Sequence, residues 1–262
     1  MQQYFIYGNH SAETIEITDK DTIKHMFQVM RLRAGDEVVL VFPDGIKRRA
    51  EVVDAESRTM RIVEELDENV ELPVQVTIAC GFPKGDKFAT IAQKATELGA
   101  AEICGFSADR SIVKWDDKKL AKLAEKLEKV VQGAAEQSKR NIVPSINLVA
   151  NKKDFVDSFA QYDKVFVAYE EAAKEGEKSA LAKALSEVSA GEKLLFIFGP
   201  EGGITDKEIE AFTEAGAVCV GLGPRIMRAE TAPMYALSAV SYALELSKEK
   251  RYTNYAKLLA MY

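Results

Sequence analysis

Histidine is nearly missing from this chain: it occurs twice, as His10 and His25, both near the N-terminus. A Ser-His-Asp nucleophile site in the later part of the chain is thereby excluded. Cysteine is also scarce. Cys80, Cys104 and Cys219 are scattered, each inside an apolar run, and show no zinc spacing. They read as small buried hydrophobes of a reducing compartment, and no metal is expected. No stretch approaches the length of a membrane span, and Met1-Gln2-Gln3-Tyr4 lacks a signal-peptide pattern, so the expectation is a cytoplasmic protein with no membrane partner. Positive charge is not in excess either. The formal net charge is −6, which argues against a bulk polyanion binder. A nucleic acid would meet focused basic spots rather than a basic face.

What is present is an ordinary globular composition, 47% hydrophobic and 29% charged over 262 residues, enough for one large or two modest domains. Up to about residue 70 the chain reads as short strands with one helix. Tyr4–Tyr7, Thr14–Thr18, Val38–Phe42, Arg48–Val53 and Arg58–Val63 carry β-branched and aromatic residues, and Pro43-Asp44-Gly45 is a turn signal. Asp21 or Thr22 can cap a helix running to about Met30. Many short strands at close spacing suggest a small β-barrel over residues 1–70, ended by the acidic stretch Glu64–Glu71.

From residue 71 onward strands and helices alternate. Val74–Cys80, Ile103–Phe106, Ile146–Val149, Val165–Tyr169, Leu194–Phe198 and Ala217–Leu222 are strands rich in Val, Ile and Phe with little alternation, as in a parallel sheet covered on both faces. A helix from Asp86 stops at Gly99, and a long helix from Asp116 carries Leu120, Leu123, Leu127 and Val130 as one apolar stripe. The last helix, about 232–247, has Thr231 as a candidate cap and is apolar nearly all round. It is either central in the monomer or buried in a dimer.

Two glycine-bearing loops fall at the ends of late strands: Gly199-Pro200-Glu201-Gly202-Gly203, and Gly221-Leu222-Gly223-Pro224-Arg225-Ile226-Met227-Arg228. In a parallel sheet both sit at carboxyl ends, where ligands bind. Thr205-Asp206-Lys207-Glu208 is a capping box that uses the amides a phosphate would need. The first loop also lacks the Lys-Ser/Thr of a triphosphate cradle, and the second lacks the third glycine of a dinucleotide fingerprint. A pocket for a planar or neutral ligand part, or a purely structural turn, are the readings left for the first loop. In the second, Arg225 and Arg228 can grip a phosphate, or Arg228 can pair with Glu230 or Glu201.

Several spaced segments together resemble one family. They are Lys84-Gly85-Asp86-Lys87, Gln93-Lys94-Ala95-Thr96-Glu97-Leu98-Gly99, Ala134-Ala135-Glu136-Gln137-Ser138-Lys139-Arg140 with Val143-Pro144, the two loops, and Ala229-Glu230-Thr231-Ala232. In the N-terminal part His25, Val29-Met30-Arg31-Leu32 and Gly35-Asp36 also fit. The chain is similar over nearly its whole length to the bacterial ribosomal RNA small subunit methyltransferase E family of the SPOUT superfamily. That resemblance implies a PUA-like β-barrel followed by an α/β domain with a trefoil knot, a departure from the general rarity of knots. It also implies a homodimer that uses S-adenosylmethionine to methylate uridine N3 in 16S ribosomal RNA, within the small subunit. The cofactor positions it implies are Ala168, Tyr169 and Glu170, Phe198, Gly199, Pro200, Glu201 and Gly202, and Leu222, Gly223, Ile226, Met227, Arg228, Thr231 and Ala232. Met227, Ala229 and Gln28 depart from the commoner Leu, Thr and Arg at those positions.

For the chemistry, Arg228 is the candidate cation for charge developing on the base. Glu201 is a candidate proton acceptor, a partner of the sulfonium, or an orienter of Arg228. Arg31 and Arg33, with Arg48 and Arg49, are candidate RNA contacts in the barrel, and Lys84, Lys87, Arg110 and Arg140 extend that surface. Two rival readings stay open: an RNA-binding protein without catalysis, and a knotted methyltransferase acting on transfer RNA or another base atom.

Overall fold

The computed structural model of the chain describes residues 1–8, 13–111, 116–169 and 180–247. Its contacts group into two compact units, one of residues 1–71 with 131–143, the other of residues 72–130 with the chain from 144 onward.

The first unit is a mixed five-stranded sheet of β1 (Gln3–Phe5), β2 (Thr14–Glu16), β3 (Glu37–Val41), β4 (Lys47–Asp54) and β5 (Thr59–Leu66), in the order β1-β3-β4-β5-β2. β1 runs parallel to β3 and the other pairs are antiparallel. Gly45, at φ +74°, closes the β3–β4 turn that Pro43-Asp44-Gly45 signals. Register shifts between Arg49 and Ala50 and between Val52 and Asp54 bend β4 against β5. The result is a half-barrel with β1 and β2 at its two ends. Tyr4, Ile17, Met26, Val38, Leu40, Ala50, Val52 and Met60 fill its core. The helix begins earlier than expected. α1 (Lys20–Ile23) is capped by Asp19, whose carboxylate accepts a hydrogen bond from the Thr22 amide at 2.7 Å, in place of Asp21 or Thr22, and it widens into a π-turn over Lys24–Val29.

The second unit is a six-stranded, all-parallel sheet. Its strands are β6 (Gln75–Gly81), β7 (Glu102–Phe106), β8 (Ser145–Val149), β9 (Lys164–Ala168), β10 (Lys193–Phe198) and β11 (Val218–Val220), in the order β11-β9-β10-β6-β7-β8. Leu194 to Phe198 are all buried, as expected of a strand covered on both faces. Its described helices are α2 (Lys87–Glu97), α3 (Asp117–Gln137, of which 131–137 belong to the first unit), α4 (Lys152–Asp157), α5 (Ala180–Ser186), α6 (Asp206–Glu214) and α7 (Ala232–Ser241), the last running into a π-turn over Tyr242–Leu246. One face packs through phenylalanine, with Phe106 stacked on Phe155 at 4.2 Å and both edge-on to Phe212. Gly99, at φ +98°, ends α2. Cys80 and Cys104 are buried free thiols, and burial pushes Cys104 up to about 12.

From β6 the sheet continues through β7 and β8 on one side and through β10, β9 and β11 on the other, so the direction of chain progression reverses between β6 and β10. The carboxyl ends beside that reversal form the crevice where open parallel sheets hold ligands.

Candidate functional site

The loops leaving β9, β10 and β11 start from three neighbouring strand ends, and the Tyr169 amide donates to the Val220 carbonyl at 3.1 Å between two of them. Together they enclose a cavity of about 690 Å³. Of the residues expected from the sequence, Ala168, Tyr169, Phe198, Gly199, Pro200, Glu201, Gly202, Ile226, Met227, Arg228 and Ala232 border it. Leu222, Gly223 and Thr231 stand on the third loop without bordering the cavity, and Glu170 lies outside the described residues. Ile204 also lines it, as does Asp206, which the sequence marks only as part of the capping box. Asp206 had a local signal, since it directly follows the Thr205 cap, and its carboxylate accepts from the Tyr169 hydroxyl at 3.3 Å.

The β10 loop is held in one shape. The Gly203 amide donates to the Pro200 carbonyl at 2.8 Å, and Gly203 sits at φ +75°. A Cβ on Gly199 would lie 2.8 Å from the Gly203 carbonyl carbon, and one on Gly81, at the end of β6, 2.6 Å from Pro200 Cδ. Arg110 braces the loop from the end of β7, donating to the Gly202 carbonyl at 2.9 Å. The capping box forms as the sequence indicates: the Thr205 hydroxyl accepts from the Glu208 amide, and the Glu208 carboxylate from the Thr205 amide at 3.0 Å. Those amides are therefore closed to a phosphate. Glu208 is buried and also takes the Asp109 amide at 2.8 Å and the Lys152 ammonium at 2.9 Å. Burial alone would raise its carboxyl, but these donors outweigh it and hold the group below its ordinary value. At α7 the expected cap is corrected: Thr231 occupies the cap position but makes no side-chain cap bond. The first turn relies on Pro233, which needs no amide partner.

The charges at the cavity are unevenly paired. Glu201 Oε1 meets Lys87 Nζ at 2.9 Å and accepts from the Lys84 amide at 3.3 Å. Burial pushes its carboxyl up, yet the Lys87 ammonium and backbone donors bring it below its usual value. Glu230 Oε2 also faces Lys87, at 3.4 Å. Neither carboxylate pairs with Arg228, so that reading of the arginine does not hold among the described residues. The Arg228 residue is exposed and borders the cavity, and its guanidinium has no hydrogen bond or ion pair among the described residues. Only its backbone carbonyl is engaged, by the amides of Thr231 and Ala232.

The candidate RNA contacts separate. Arg31, Arg33 and Lys84 are exposed. Lys87 and Arg110 are engaged as above. Arg140 is 2% exposed and forms an ion pair with Glu71, which also accepts from the Asn141 amide at 2.7 Å. It is a buried internal contact of the first unit, and its guanidinium is not offered to solvent. Arg48 is likewise buried, against Asp44 and Glu65 at 2.8 Å each, and Arg49 reaches Glu64 at 3.0 Å. No His, Cys, Asp or Glu cluster among the described residues could hold a metal ion.

Comparison with known proteins supplies independent findings. A family model of the RNA methyltransferase domain matches residues 70–241, and one of the RNA methyltransferase PUA domain matches residues 17–65. The chain is 45% identical over 252 residues to the ribosomal RNA small subunit methyltransferase E of Bacillus subtilis (strain 168), covering 94% of this chain and 98% of that protein. It is 34% identical over 233 residues to the Mycobacterium tuberculosis protein of the same name, covering 86% of each. Its fold is similar to the crystal structure of a Neisseria gonorrhoeae ribosomal RNA small subunit methyltransferase E bound to S-adenosyl methionine. That match has a TM-score of 0.78 and 27% identity, and covers 92% of this chain and 97% of that one.

Proposed function

Because the chain belongs to the ribosomal RNA small subunit methyltransferase E family, we propose that it methylates 16S ribosomal RNA at N3 of a uridine, with S-adenosylmethionine as donor. The observation that carries this reading is the convergence of three neighbouring strand-end loops on one cavity beside an arginine with no partner among the described residues. The cavity fits the donor. Its volume falls within the roughly 300–1,000 Å³ of small-molecule sites. It offers apolar walls at Ala168, Phe198, Ile226 and Met227 for a flat ring, and glycine backbone at Gly199 and Gly202 for close polar contacts. In this reading these loops form the crossing of a trefoil knot.

The donor supplies an electrophilic methyl group on a sulfonium. The N3 proton leaves to solvent water, which spreads negative charge over N3, O2 and O4 of the base; the N3–methyl bond then forms as the sulfur–methyl bond breaks, and the donor departs as a neutral thioether. Arg228 meets that charge: a guanidinium beside the cavity can turn to it without breaking an ion pair with any of the described residues. Of the three roles open to Glu201, the depressed carboxyl and its bond to Lys87 favour that of an anion beside a cationic ligand over that of a proton acceptor. The loops align the reacting atoms, which is the larger part of what an enzyme adds to an in-line transfer. The target uridine must leave its stack to reach them. Arg31, Arg33 and Lys84 remain as exposed cations for RNA phosphates.

A second copy of the chain completes the reading. Tyr235, Tyr242 and Leu246 leave a large apolar surface exposed along α7 and its extension, and Ile226 of the third loop is 81% exposed. A homodimer that buries this face accounts for all four.

Two measurements test the proposal. Titration calorimetry of the full chain with S-adenosylmethionine should give saturable binding. Mass spectrometry of 16S ribosomal RNA from a strain lacking the gene should show one N3-methyluridine lost. An intact 16S RNA with a methyl group missing from transfer RNA would move the substrate assignment, and absence of donor binding would remove the activity.

A further inference from the structure

Lys87 stands in the first turn of α2 and borders the cavity from outside its two loops, and its ammonium reaches each of them. It lies 2.9 Å from Glu201 Oε1 on the β10 loop and 3.4 Å from Glu230 Oε2 on the β11 loop. One lysine thus bridges two carboxylates from two separate loops. The three side chains are 34%, 29% and 23% exposed, in the order Lys87, Glu201, Glu230. That is sheltered enough for the bridge to persist and too open for it to be part of the core. Glu201 has a second donor in the Lys84 amide. Glu230 Oε2 is buried, and among the described residues the Lys87 ammonium at 3.4 Å is its counter-charge and no hydrogen bond satisfies it. Without the ammonium, two like charges would act on each other across loops that need to stay close, and a buried carboxylate oxygen would lose its compensation.

The geometry points to Lys87 as a positioning residue of the methyl transfer: by tying Glu201 to Glu230 it sets the spacing of the β10 and β11 loops, and with it the fit of the donor between them. The role rests on the pocket reading above, and it differs from that of an RNA contact, which the residue's charge suggests in the sequence. It also differs from catalysis in the strict sense, because the ammonium acts through the two carboxylates and not on the reacting atoms.

The test uses the full chain and the variants Lys87→Met and Lys87→Arg, with three readouts. The first is amide hydrogen exchange across residues 199–203 and 224–231 without ligand. The second is calorimetric affinity for S-adenosylmethionine together with KM and kcat. The third is RNA affinity as a function of salt. Lys87→Met should speed exchange in both loops by about fivefold and raise Kd and KM for the donor by about fivefold, the scale of one partly exposed ion-pair network. It should change kcat by less than about twofold, as expected for lost ground-state fit. Exchange in β7 should stay at the wild-type rate, showing that the fold is intact. Lys87→Arg should return both loops and the donor affinity to wild type. Unchanged donor affinity in a wild-type-like binder, with or without faster loop exchange, overturns the proposal alone. So does a loss confined to RNA affinity and its salt slope. A wild-type protein that binds no donor overturns the pocket reading, and this proposal with it.

Discussion

Arg228 concentrates the chemical argument at the residue scale. Its guanidinium has no described partner, so Arg228→Ala should lower kcat by about a hundredfold or more while the melting temperature stays within a degree or so of wild type. Single-turnover kinetics and calorimetric scanning check the two halves. Glu201 is held below the ordinary carboxylate range by Lys87 and backbone donors despite its partial burial. It is therefore ionised throughout the working range, and protonation is reached only on going well below neutrality. Glu201→Gln should lower kcat/KM without moving any inflection of the pH–rate profile between about pH 6 and pH 8. A shifted limb in that window would make it the proton acceptor. Arg228 was legible in the sequence because its loop follows directly on an apolar run that ends at Val220. Arg110 and Arg140 were not, because a basic side chain does not reveal its partner, and theirs lie 92 and 69 positions away at Gly202 and Glu71. Arg140→Ala should accordingly cost about 2–3 kcal/mol of stability in urea titration, the penalty for stranding a partly buried carboxylate partner. The salt slope of RNA binding should stay the same.

At the scale of elements, what the sequence shows best is what local physics decides. The Thr205–Glu208 capping box reads directly from four residues, and the Val-, Ile- and Phe-rich strands announce burial on both faces. Caps that depend on the entry path of the chain were harder. Asp19 won over Asp21 and Thr22 because the helix starts a turn sooner, and Thr231 holds the cap position without bonding. Nothing in the sequence pattern assigns residues 131–143, at the end of α3 and just beyond it, to the N-terminal unit. Ala135 nevertheless packs there with Phe5 and Val41. Strand ends carry the site, and Gly81 shows how tightly. A methyl group there would overlap Pro200, so Gly81→Ala should destabilise the chain by about 1–3 kcal/mol. It should also weaken donor binding, measured by calorimetry, more than a comparable change on β8 does. Equal affinity would mean that the β10 loop tolerates displacement.

For the whole molecule, the exposed tyrosines of α7 and its extension make the oligomeric state testable. Tyr242→Arg is expected to convert a dimer into monomers in light scattering at micromolar concentration, since a charge replaces an aromatic ring at a face that otherwise excludes water. A dimer that survives this change would place the subunit contact elsewhere. The order β11-β9-β10-β6-β7-β8 lay beyond sequence reasoning, since patterning shows which segments are strands and not which of them become neighbours. It has a temporal consequence. β6 and β9 both emerge from the ribosome before β10, yet β10 sits between them. A nascent chain that ends short of residue 193 can assemble the β6-β7-β8 half but has no bridge to β9, and premature pairing of β6 with β9 would have to be undone. Assembly of the cavity between these strand ends therefore waits for β10, and the slow step lies in seating a central strand.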